Sequence, residues 1–491
     1  AGELARDIRH YLAGDPIEAK RDSFVYFVRK RMRHYRPQLV IGTLFLMLIV
    51  GASITVATLL HRAALDRERA VAAEANGQYL DAFLKDILDM LKPGKAKGRE
   101  VAVARLLADV DSQLAKHPPP QLETRALLHH QIGSVYRQIG RYQKAEDNLR
   151  EALALRRQIY PAAHANLADS MHELATAYWW NGRYDDAQQL FQEALDMRRM
   201  LFGEEAPSAV TSLMFLAACR RSLGDYAGAT ALYEQVLEMR RKRFGDESMP
   251  VASARNNLAK CYLERGDYAA AKLLLDQVLA TILKLHPDDD PDVANGLDTI
   301  AAFLMEQGKL AEARTRLEDA REMRRRFLGE EHPSFALSLY GLARLCRAEG
   351  DLTEADRLCK QGLDLQRQSL REGHPDMADS LCLLGRIGIA SGALVDAEGN
   401  LREALAIRSA AMPAHWRTAE AEGLLVECLV RQGRLDDAER RLLQSHKVIS
   451  EQCVPGGKSV REAVQRLVDL YQAWGKPDKA EDYRSLLSAA R

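Results

Sequence analysis

The sequence is short of several residue types, and each shortage excludes a class of protein. Gly (31) and Pro (16) make up less than the usual share of the 491 residues, and aromatic residues account for 6%. These values exclude a collagenous or low-complexity chain, and seven cysteines in this length exclude a disulfide-dense one. Lys and Arg (69) balance Asp and Glu (69), so no net charge attracts the whole chain to nucleic acid. With 47% hydrophobic residues, the chain can still bury a large core.

Catalytic motifs are also missing from the sequence. His172 begins a pattern like that of a zinc-protease helix, but Thr176 stands where the second histidine is required. Residues 94–98 lack the spacing and the ending of a phosphate-binding loop. His129 and His130 are neighbours on a predicted helix and cannot face one metal ion from the same side. We therefore expect no enzyme active site, no metal site and no cofactor within this chain.

Residues 38–60 form a run of 23 uncharged residues, QLVIGTLFLMLIVGASITVATLL. A helix of this length reaches roughly 34 Å, which is enough to cross a bilayer. Thirteen of its residues are Leu, Ile, Val or Phe, and together they favour insertion by roughly 4–8 kcal/mol. A buried core helix and a cleaved signal peptide are the alternatives, but a signal peptide lies closer to the N-terminus. The run therefore predicts a transmembrane helix.

The charges on either side of this run predict its orientation. Residues 17–36 contain seven Lys or Arg, whereas residues 61–80 contain three. Because positive charge is retained on the cytoplasmic side, we expect a cytoplasmic N-terminus and an extracytoplasmic remainder. The predicted localisation is a single-pass inner or plasma membrane protein, with the lipid bilayer as one partner. Residues 25–37 are then a basic juxtamembrane segment.

Nine glycines mark a repeat with a period of 42 residues. Seven of the eight intervals between them are 42 residues long and one is 41. An alanine follows each glycine by five residues, and the residue two after the glycine is Tyr in the first four copies, Leu in the next four and Pro in the last. Such a period is typical of a solenoid of stacked units. The glycines are Gly140, Gly182, Gly224, Gly266, Gly308, Gly350, Gly392, Gly433 and Gly475.

A single copy shows how each unit folds. Leu174 and Tyr178 share one face of a predicted first helix, and Ala187 and Phe191 share one face of a second. Gly182 lies between the two helices and permits a sharp turn. Small alanines at the crossing let the helices approach closely. Each copy is therefore predicted to form a helical hairpin.

The offsets of these small, aromatic, Gly, Tyr and Ala residues resemble those of the tetratricopeptide repeat. The 42-residue period and the endings GEEHP at 329–333 and EGHP at 372–375 resemble the kinesin-light-chain subtype. The resemblance covers residues 121–491 and weakens at the end, where Pro477 and Arg484 replace the expected apolar residues. It implies a right-handed α-solenoid of about nine 42-residue hairpins. Together with the run at 38–60, the predicted fold class is all-α, with a single transmembrane helix followed by this solenoid.

First helices of such hairpins line a concave face on which extended peptides usually bind. We take this face as the positions ten, six and three residues before each glycine, with ordinary packing or solvated surface as the alternative for each residue. The resemblance favours Asn256 and Lys260 for contacts with peptide backbone and acidic groups. Trp179, Tyr340 and Arg344 are residue types that often dominate interface energy. The candidate groove residues are His172, Thr176, Trp179, Met214, Arg221, Asn256, Lys260, Asp298, Met305, Tyr340, Arg344 and Arg347.

Residues 2–20, GELARDIRHYLAGDPIEAK, predict an amphipathic helix that stops at Gly14 and Pro16. They resemble the last helix of the catalytic lobe in bacterial membrane-anchored serine/threonine protein kinases, so residues 1–24 are interpreted as a remnant of such a lobe. The kinase motifs themselves are absent from this sequence. ATP and Mg²⁺ would be cofactors only of a lobe upstream. Residues 61–120 are predicted to be a helical connector.

Two other residue types recur at fixed positions in the repeats. Cys219, Cys261 and Cys428 each lie five residues before a glycine and are predicted to be small core residues, with disulfides or metal binding as alternatives. Arginine pairs recur late in the second helices, where they either stabilise helix C-termini or form a basic ridge for an acidic partner. These pairs are 156–157, 198–199, 240–241 and 324–325.

The predicted function is that of a membrane-anchored tetratricopeptide interaction module, the sensor or scaffold half of a bacterial serine/threonine kinase. The alternative is a stand-alone membrane-anchored scaffold for assembly of a protein complex, with no kinase. The expected partner is a protein or peptide in the groove, not nucleic acid, and a homo-oligomer is left open. The sequence does not identify the partner, the kinase substrates, the oligomeric state or the redox state of the cysteines.

Overall fold

The structure, a computed structural model, describes residues 2–13, 99–285, 291–435 and 438–489, and this part of the chain is all-α. Helix α1 spans Gly2–Ala13, as the amphipathic pattern predicts, and belongs to a unit that is separate from the repeats. Helix α2 spans Arg99–Lys116 and contacts the first repeat. The boundaries predicted for the segments before the repeats remain predictions.

Nine helical hairpins follow, and we number them as repeats 1–9. Their helices are α3 (Leu122–Gln138) and α4 (Tyr142–Ile159), α5 (Ala165–Trp180) and α6 (Tyr184–Phe202), α7 (Pro207–Ser222) and α8 (Tyr226–Phe244), α9 (Met249–Arg265) and α10 (Tyr268–Leu285), α11 (Pro291–Glu306) and α12 (Leu310–Leu328), α13 (Phe335–Glu349) and α14 (Leu352–Ser369), α15 (Pro375–Ser391) and α16 (Leu394–Ala411), α17 (Trp416–Arg431) and α18 (Ala438–Gln452), α19 (Lys458–Ala473) and α20 (Pro477–Ala489).

None of the helices in the described ranges is both long and apolar enough to cross a membrane. The predicted fold class, which joined a transmembrane helix to the solenoid, and the predicted single-pass localisation are corrected by this finding. Helix α10 is rich in apolar residues but carries Lys272, Asp276 and Lys284. Only one side of this helix covers a core, so its other side carries charged residues. The run at 38–60, on which both predictions were based, lies outside the described residues.

Each hairpin is held by the residues that the repeat pattern selects. The alanines five residues after the glycines are 0–2% exposed, which allows the two helices to cross closely. Phe191, Tyr233 and Leu275 fill the equivalent site four residues later and are 0–2% exposed. Burying a side chain of this size contributes about 1.5–3 kcal/mol relative to leaving it exposed. The glycine of the turn has a positive φ, for example +85° at Gly266, which a residue with a Cβ adopts only with strain.

The first helices line the inner face of the solenoid. Each first helix contacts the first helix of the next repeat, whereas successive second helices in the described repeats do not meet to the same extent. The row of first helices is therefore the shorter, concave side, as the repeat architecture requires.

The solenoid returns upon itself, so that loops of later repeats lie on hairpin turns of earlier ones. His332 Nε2 is 3.1 Å from the carbonyl oxygen of Gln138, and His374 Nε2 is 2.9 Å from that of Trp180. Val454 N donates to the carbonyl oxygen of Arg265 at 2.9 Å. We call this line of contacts the seam: it joins the loops that follow repeats 5, 6, 7 and 8 to the hairpin turns of repeats 1, 2, 3 and 4, respectively.

Three seam histidines have a defined tautomer. Nδ1 of His332, His374 and His415 accepts a hydrogen bond from the backbone N–H two residues later, at 3.0–3.1 Å. Nε2 of each neutral ring therefore carries the proton and acts as the donor across the seam. Burial lowers the pKa of His332 to about 4, which keeps this ring neutral near pH 7.

The tyrosines two residues after the first four glycines face the seam. The hydroxyl of Tyr226 accepts a hydrogen bond from Trp416 Nε1 at 2.8 Å and lies 3.3 Å from His415 Nε2. Burial raises the pKa of Tyr142, whose hydroxyl hydrogen-bonds Ser334 across the seam. Burial and Glu306 raise the pKa of Tyr268 to about 12. Tyr142 and Tyr226 therefore connect one turn of the solenoid to the next.

Candidate functional site

Two of the candidate groove residues lie inside the hairpin core. His172 is 7% exposed and makes edge contacts with the rings of Phe191 and Phe215, with centroids 5.2 and 5.4 Å away. Burial, followed by nearby Arg198, lowers its pKa to about 3. Thr176 is 3% exposed and donates to the carbonyl oxygen of His172 at 2.8 Å. Both side chains therefore lie in the core beneath the inner face.

Trp179, Met214 and Arg221 lie half-buried on the inner face of repeats 2 and 3. The indole of Trp179 packs against Trp180, and its Nε1 is buried without a hydrogen-bond partner. The sulfur of Met214 is 3.1 Å from a guanidinium nitrogen of Arg240. Arg221 forms an ion pair with Glu264 on the next first helix.

The middle of the inner face combines amide, cation and carboxylate. Asn256 is 5% exposed, and its Oδ1 has no hydrogen-bond partner. Burial, then Arg221, lowers the pKa of Lys260 to about 8. Asp298 Oδ2 pairs with Arg324 at 2.5 Å, while its Oδ1 is buried and unpaired. Met305 is half-buried against the core of repeats 5–8.

Tyr340, Arg344 and Arg347 lie together on α13. The guanidinium of Arg344 is 5.8 Å from the ring centroid of Tyr340. Burial lowers the pKa of Arg347, and its Nε is buried without a hydrogen-bond partner. The structure therefore brings together the later candidates in chain order along one face, and their role in binding remains a prediction.

An ion-pair network that the sequence did not reveal fills the inner face of the later repeats. Arg417 is 3.1 Å from Asp379 and 3.4 Å from Glu264, which lies four repeats earlier. Arg386 pairs with Glu420 at 2.7 Å and with Glu462 at 2.8 Å. These contacts pair carboxylates with arginines across the concave inner face. The charged groups of this part of the face therefore already have partners within the chain.

Nearby arginines keep the network carboxylates ionised. Burial opposes ionisation of Glu420, but Arg386 and Arg408 lower its pKa to about 2. Burial likewise opposes the charge on Asp379, while Arg417 and Arg408 lower its pKa. Buried charges of this kind are tolerated because each has an opposite charge in contact.

The recurring arginines tie successive repeats together. Arg198 is 6% exposed; its NH1 donates to Ser212 Oγ at 2.7 Å and its NH2 to Asp169 at 2.7 Å. It thus links the end of α6 to the first helices on either side. Arg156 and Arg324 donate to the equivalent serines at 2.7 and 2.8 Å. Arg156, Arg198 and Arg324 are therefore buried links between repeats and not parts of an exposed ridge.

The cysteines are core residues. Cys219, Cys261 and Cys428 are 0% exposed, which confirms their predicted packing role. All seven cysteines are free and buried. No group of His, Cys, Asp or Glu in the described ranges is arranged to hold a metal ion.

Comparison with known proteins identifies the repeats. The family model of the tetratricopeptide repeat matches residues 124–200, 208–283, 292–355 and 334–410, which together make up more than half of the chain. The chain belongs to the tetratricopeptide repeat family and is a protein-interaction scaffold of that type. A search of curated proteins found no match.

Solved structures also match this chain. Kinesin-light-chain repeats from Podospora anserina are 30% identical over 41% of this chain and 94% of that one, with a TM-score of 0.32. The quorum sensor NprR from B. thuringiensis is 16% identical over 77% of this chain and 99% of that one, with a TM-score of 0.46. A Rap protein complexed with competence and sporulation factor is 14% identical over 74% of this chain and 99% of that one, with a TM-score of 0.47.

Proposed function

We propose that the inner face of repeats 2–6 binds an acidic segment of a partner protein in an extended conformation. The candidate groove residues other than His172 and Thr176 supply the contacts. The observation that carries this proposal is the concentration of unpaired polar groups at these positions, in contrast to the paired network of the later repeats.

The first part of the argument concerns buried polar atoms. Nine buried side-chain nitrogen or oxygen atoms of the described residues lack a hydrogen bond, and four belong to candidate groove residues: Trp179, Asn256, Asp298 and Arg347. Leaving such an atom unpaired costs about 1–3 kcal/mol. An extended peptide offers amide donors and carbonyl acceptors at regular intervals, so it could pair with these atoms.

The second part concerns charge. Lys260, Arg344 and Arg347 have no ion pair within the described ranges, whereas Arg221 and Arg386 are paired. Lys260 and Arg344 occupy the same repeat position on α9 and α13. With packed helices about 8–10 Å apart, these two side chains are roughly 16–20 Å apart. About five or six residues of extended chain would span that distance, so carboxylates at both ends of such a segment would meet both cations.

The test uses a fluorescein-labelled peptide rich in Glu and Asp, with basic and Gly-Ser peptides of equal length. We expect the acidic peptide alone to increase in anisotropy with the full chain. Trp179→Ala combined with Arg344→Glu should weaken its binding at least tenfold, about 1.4 kcal/mol, with unchanged helical circular dichroism. Lys447→Glu makes the same charge change on α18, where the side chain is exposed, and should leave binding unchanged. Equal binding by wild type and the double variant would contradict the proposal.

A pH arm examines Lys260 specifically. Its pKa is about 8, so the free site loses this charge as the pH rises through about 8. An acidic ligand prefers the protonated amine, so its affinity should fall above that pH. Lys260→Arg should remove this dependence while retaining binding, because a guanidinium stays charged there.

The relation to a serine/threonine kinase is a separate, finer proposal that rests on the resemblance of residues 2–20. An antibody to the repeats should then detect a native protein well above 54.9 kDa. A native mass near 54.9 kDa would favour the stand-alone scaffold.

A further inference from the structure

The seam covers an apolar column at the ends of the second helices. In the loops that the seam covers, this position is occupied by Leu328, Leu370, Met412 and Cys453. The first three are half-buried and Cys453 is 7% exposed. Hairpin turns from the earlier repeats lie over these loops, so the seam is an established interface between a loop side and a turn side.

The same column is uncovered in repeats 2 and 3. Phe202 and Phe244 occupy it and are 53% and 49% exposed, and the adjacent Leu201 is 37% exposed. Gly203 and Gly245, which begin the two loops, have no atom within 4 Å of the place where a Cβ would stand. We call Leu201, Phe202 and Phe244 the loop edge. It has the apolar groups of the seam without a turn to cover them.

The opposite end of the solenoid has the complementary half. The hairpin turns at Gly308, Gly350 and Gly392 also have no atom within 4 Å of a Cβ position. Beside the last of these, Leu394 is half-buried and Val395 is 82% exposed. We call the turns at these three glycines, with Leu394 and Val395, the turn edge.

The two edges also match in polarity. A covered turn presents Tyr226 to His415, which is a polar pair. At the loop edge the histidine position of repeats 2 and 3 holds Ala206 and Ser248, and at the turn edge the tyrosine position holds leucine, as at Leu394. The loop edge therefore lacks the histidine of the covered pair, the turn edge lacks its tyrosine, and the hydroxyl of Ser248 is bonded within its own loop, to the carbonyl oxygen of Gly245. If the loop edge packed on a tyrosine turn, or the turn edge on a histidine loop, the polar group of that tyrosine or histidine would be buried without a partner.

We propose that a second copy of this chain docks its turn edge on the loop edge of the first, so that the intramolecular seam continues between molecules. Each copy uses two different surfaces, so the contact is heterologous. Such a contact leaves one free edge of each kind at the ends and extends into short helical filaments rather than closing as a dimer. The continuity with the seam selects a second copy as the occupant.

Sedimentation velocity of the full chain over a concentration series tests this proposal. The wild-type mean mass should rise with concentration past that of a dimer. Phe202→Glu with Phe244→Glu blocks the loop edge, and Val395→Glu blocks the turn edge; each variant alone should remain at 54.9 kDa. A mixture of the two retains one productive pair of edges and should stop at a dimer with one copy of each.

The control is Leu273→Glu, which places the same charge on a 65% exposed leucine of α10 outside both edges and should assemble like wild type. Three results would overturn the proposal. They are a wild-type mass of 54.9 kDa at every concentration, assembly that ignores the edge substitutions, and dimers of the turn-edge variant alone, which would require a symmetric loop-edge contact.

Discussion

The hairpin turns of repeats 1–4 have the same backbone conformation as those of repeats 5–9, but the two sets differ in which residues lie over them. A Cβ on Gly140 or Gly182 would stand 2.3 or 2.4 Å from Cδ of Pro333 or Pro375, whereas Gly308 and the later turn glycines have no atom within 4 Å. The residue two positions on is Tyr in the covered turns and Leu or Pro in the uncovered ones. The backbone conformation of the turn is therefore the same in both sets of repeats. Only the covered turns contact residues from far along the chain.

The largest effect should come from adding a methyl group under the seam. Gly182→Ala combines a positive φ of +70° with a clash against Pro375, while Gly350→Ala has a φ of +91° and open space. We expect Gly350→Ala to lower the free energy of unfolding by about 1–2 kcal/mol for the backbone strain. Gly182→Ala should lose about 1–3 kcal/mol more from overpacking.

Urea denaturation of the two variants measures this difference. The two substitutions are chemically identical, so the uncovered glycine is the control for the covered one. Equal losses would mean that the seam does not hold the two turns of the solenoid together.

Acid should weaken the covered turns next. Burial lowers the pKa of His332 and of His415 to about 4 from 6.5, with Arg324 near the first and Arg417 near the second adding to the shift; Glu264 opposes it at His415. The unfolded chain therefore takes up these protons first. The stability that the neutral rings provide is complete above about pH 6.5 and is lost as the pH falls towards about 4, by up to about 3 kcal/mol per ring.

Urea midpoints measured between pH 7 and pH 4 check this dependence. His332→Gln combined with His415→Gln should reduce the pH dependence, because two of the buried rings that titrate are gone. His117→Gln, at an exposed position outside the repeats, should leave it as in wild type. A double variant with the wild-type slope would contradict a seam that depends on neutral histidines.

The smallest effect should come from one hydroxyl. Tyr226→Phe removes the acceptor for Trp416 Nε1 and should cost about 1 kcal/mol. A double-mutant cycle with Trp416→Phe should give a coupling energy of at least about 0.5 kcal/mol. Adding the hydroxyl at an uncovered turn, with Leu394→Tyr, should change stability by less than about 0.5 kcal/mol. A coupling energy near zero would show that this bond does not contribute to the seam.

Local patterns were enough to predict the hairpins and the buried cysteines. The glycine with positive φ, the alanine at the crossing and the apolar residue after it each act within one hairpin, so one copy of the repeat contains the information. The recurring arginine pairs were visible in the sequence as well, but their role was not. Arg198 reaches Asp169 and Ser212 on two neighbouring first helices, and such a geometry becomes evident only when the repeats are stacked.

The candidate groove was partly accessible in the same way. Counting back from each glycine gives the helix positions, which places Asn256 and Lys260 on one face with Arg344. The same counting also selected His172, whose side chain packs between rings in the hairpin core. It did not reveal Arg417 and its partners, because Glu264 lies 153 residues away in the chain.

The sequence by itself determined the unit: a helical hairpin of 42 residues, repeated nine times, in the tetratricopeptide family. The sequence also contained the change from Tyr to Leu two residues after the glycine, but a single repeat does not explain that change. Only the tertiary structure decided which turns are covered. The rotation between successive repeats is small, and it must accumulate over several of them before His374 comes within 2.9 Å of Trp180, 194 residues earlier.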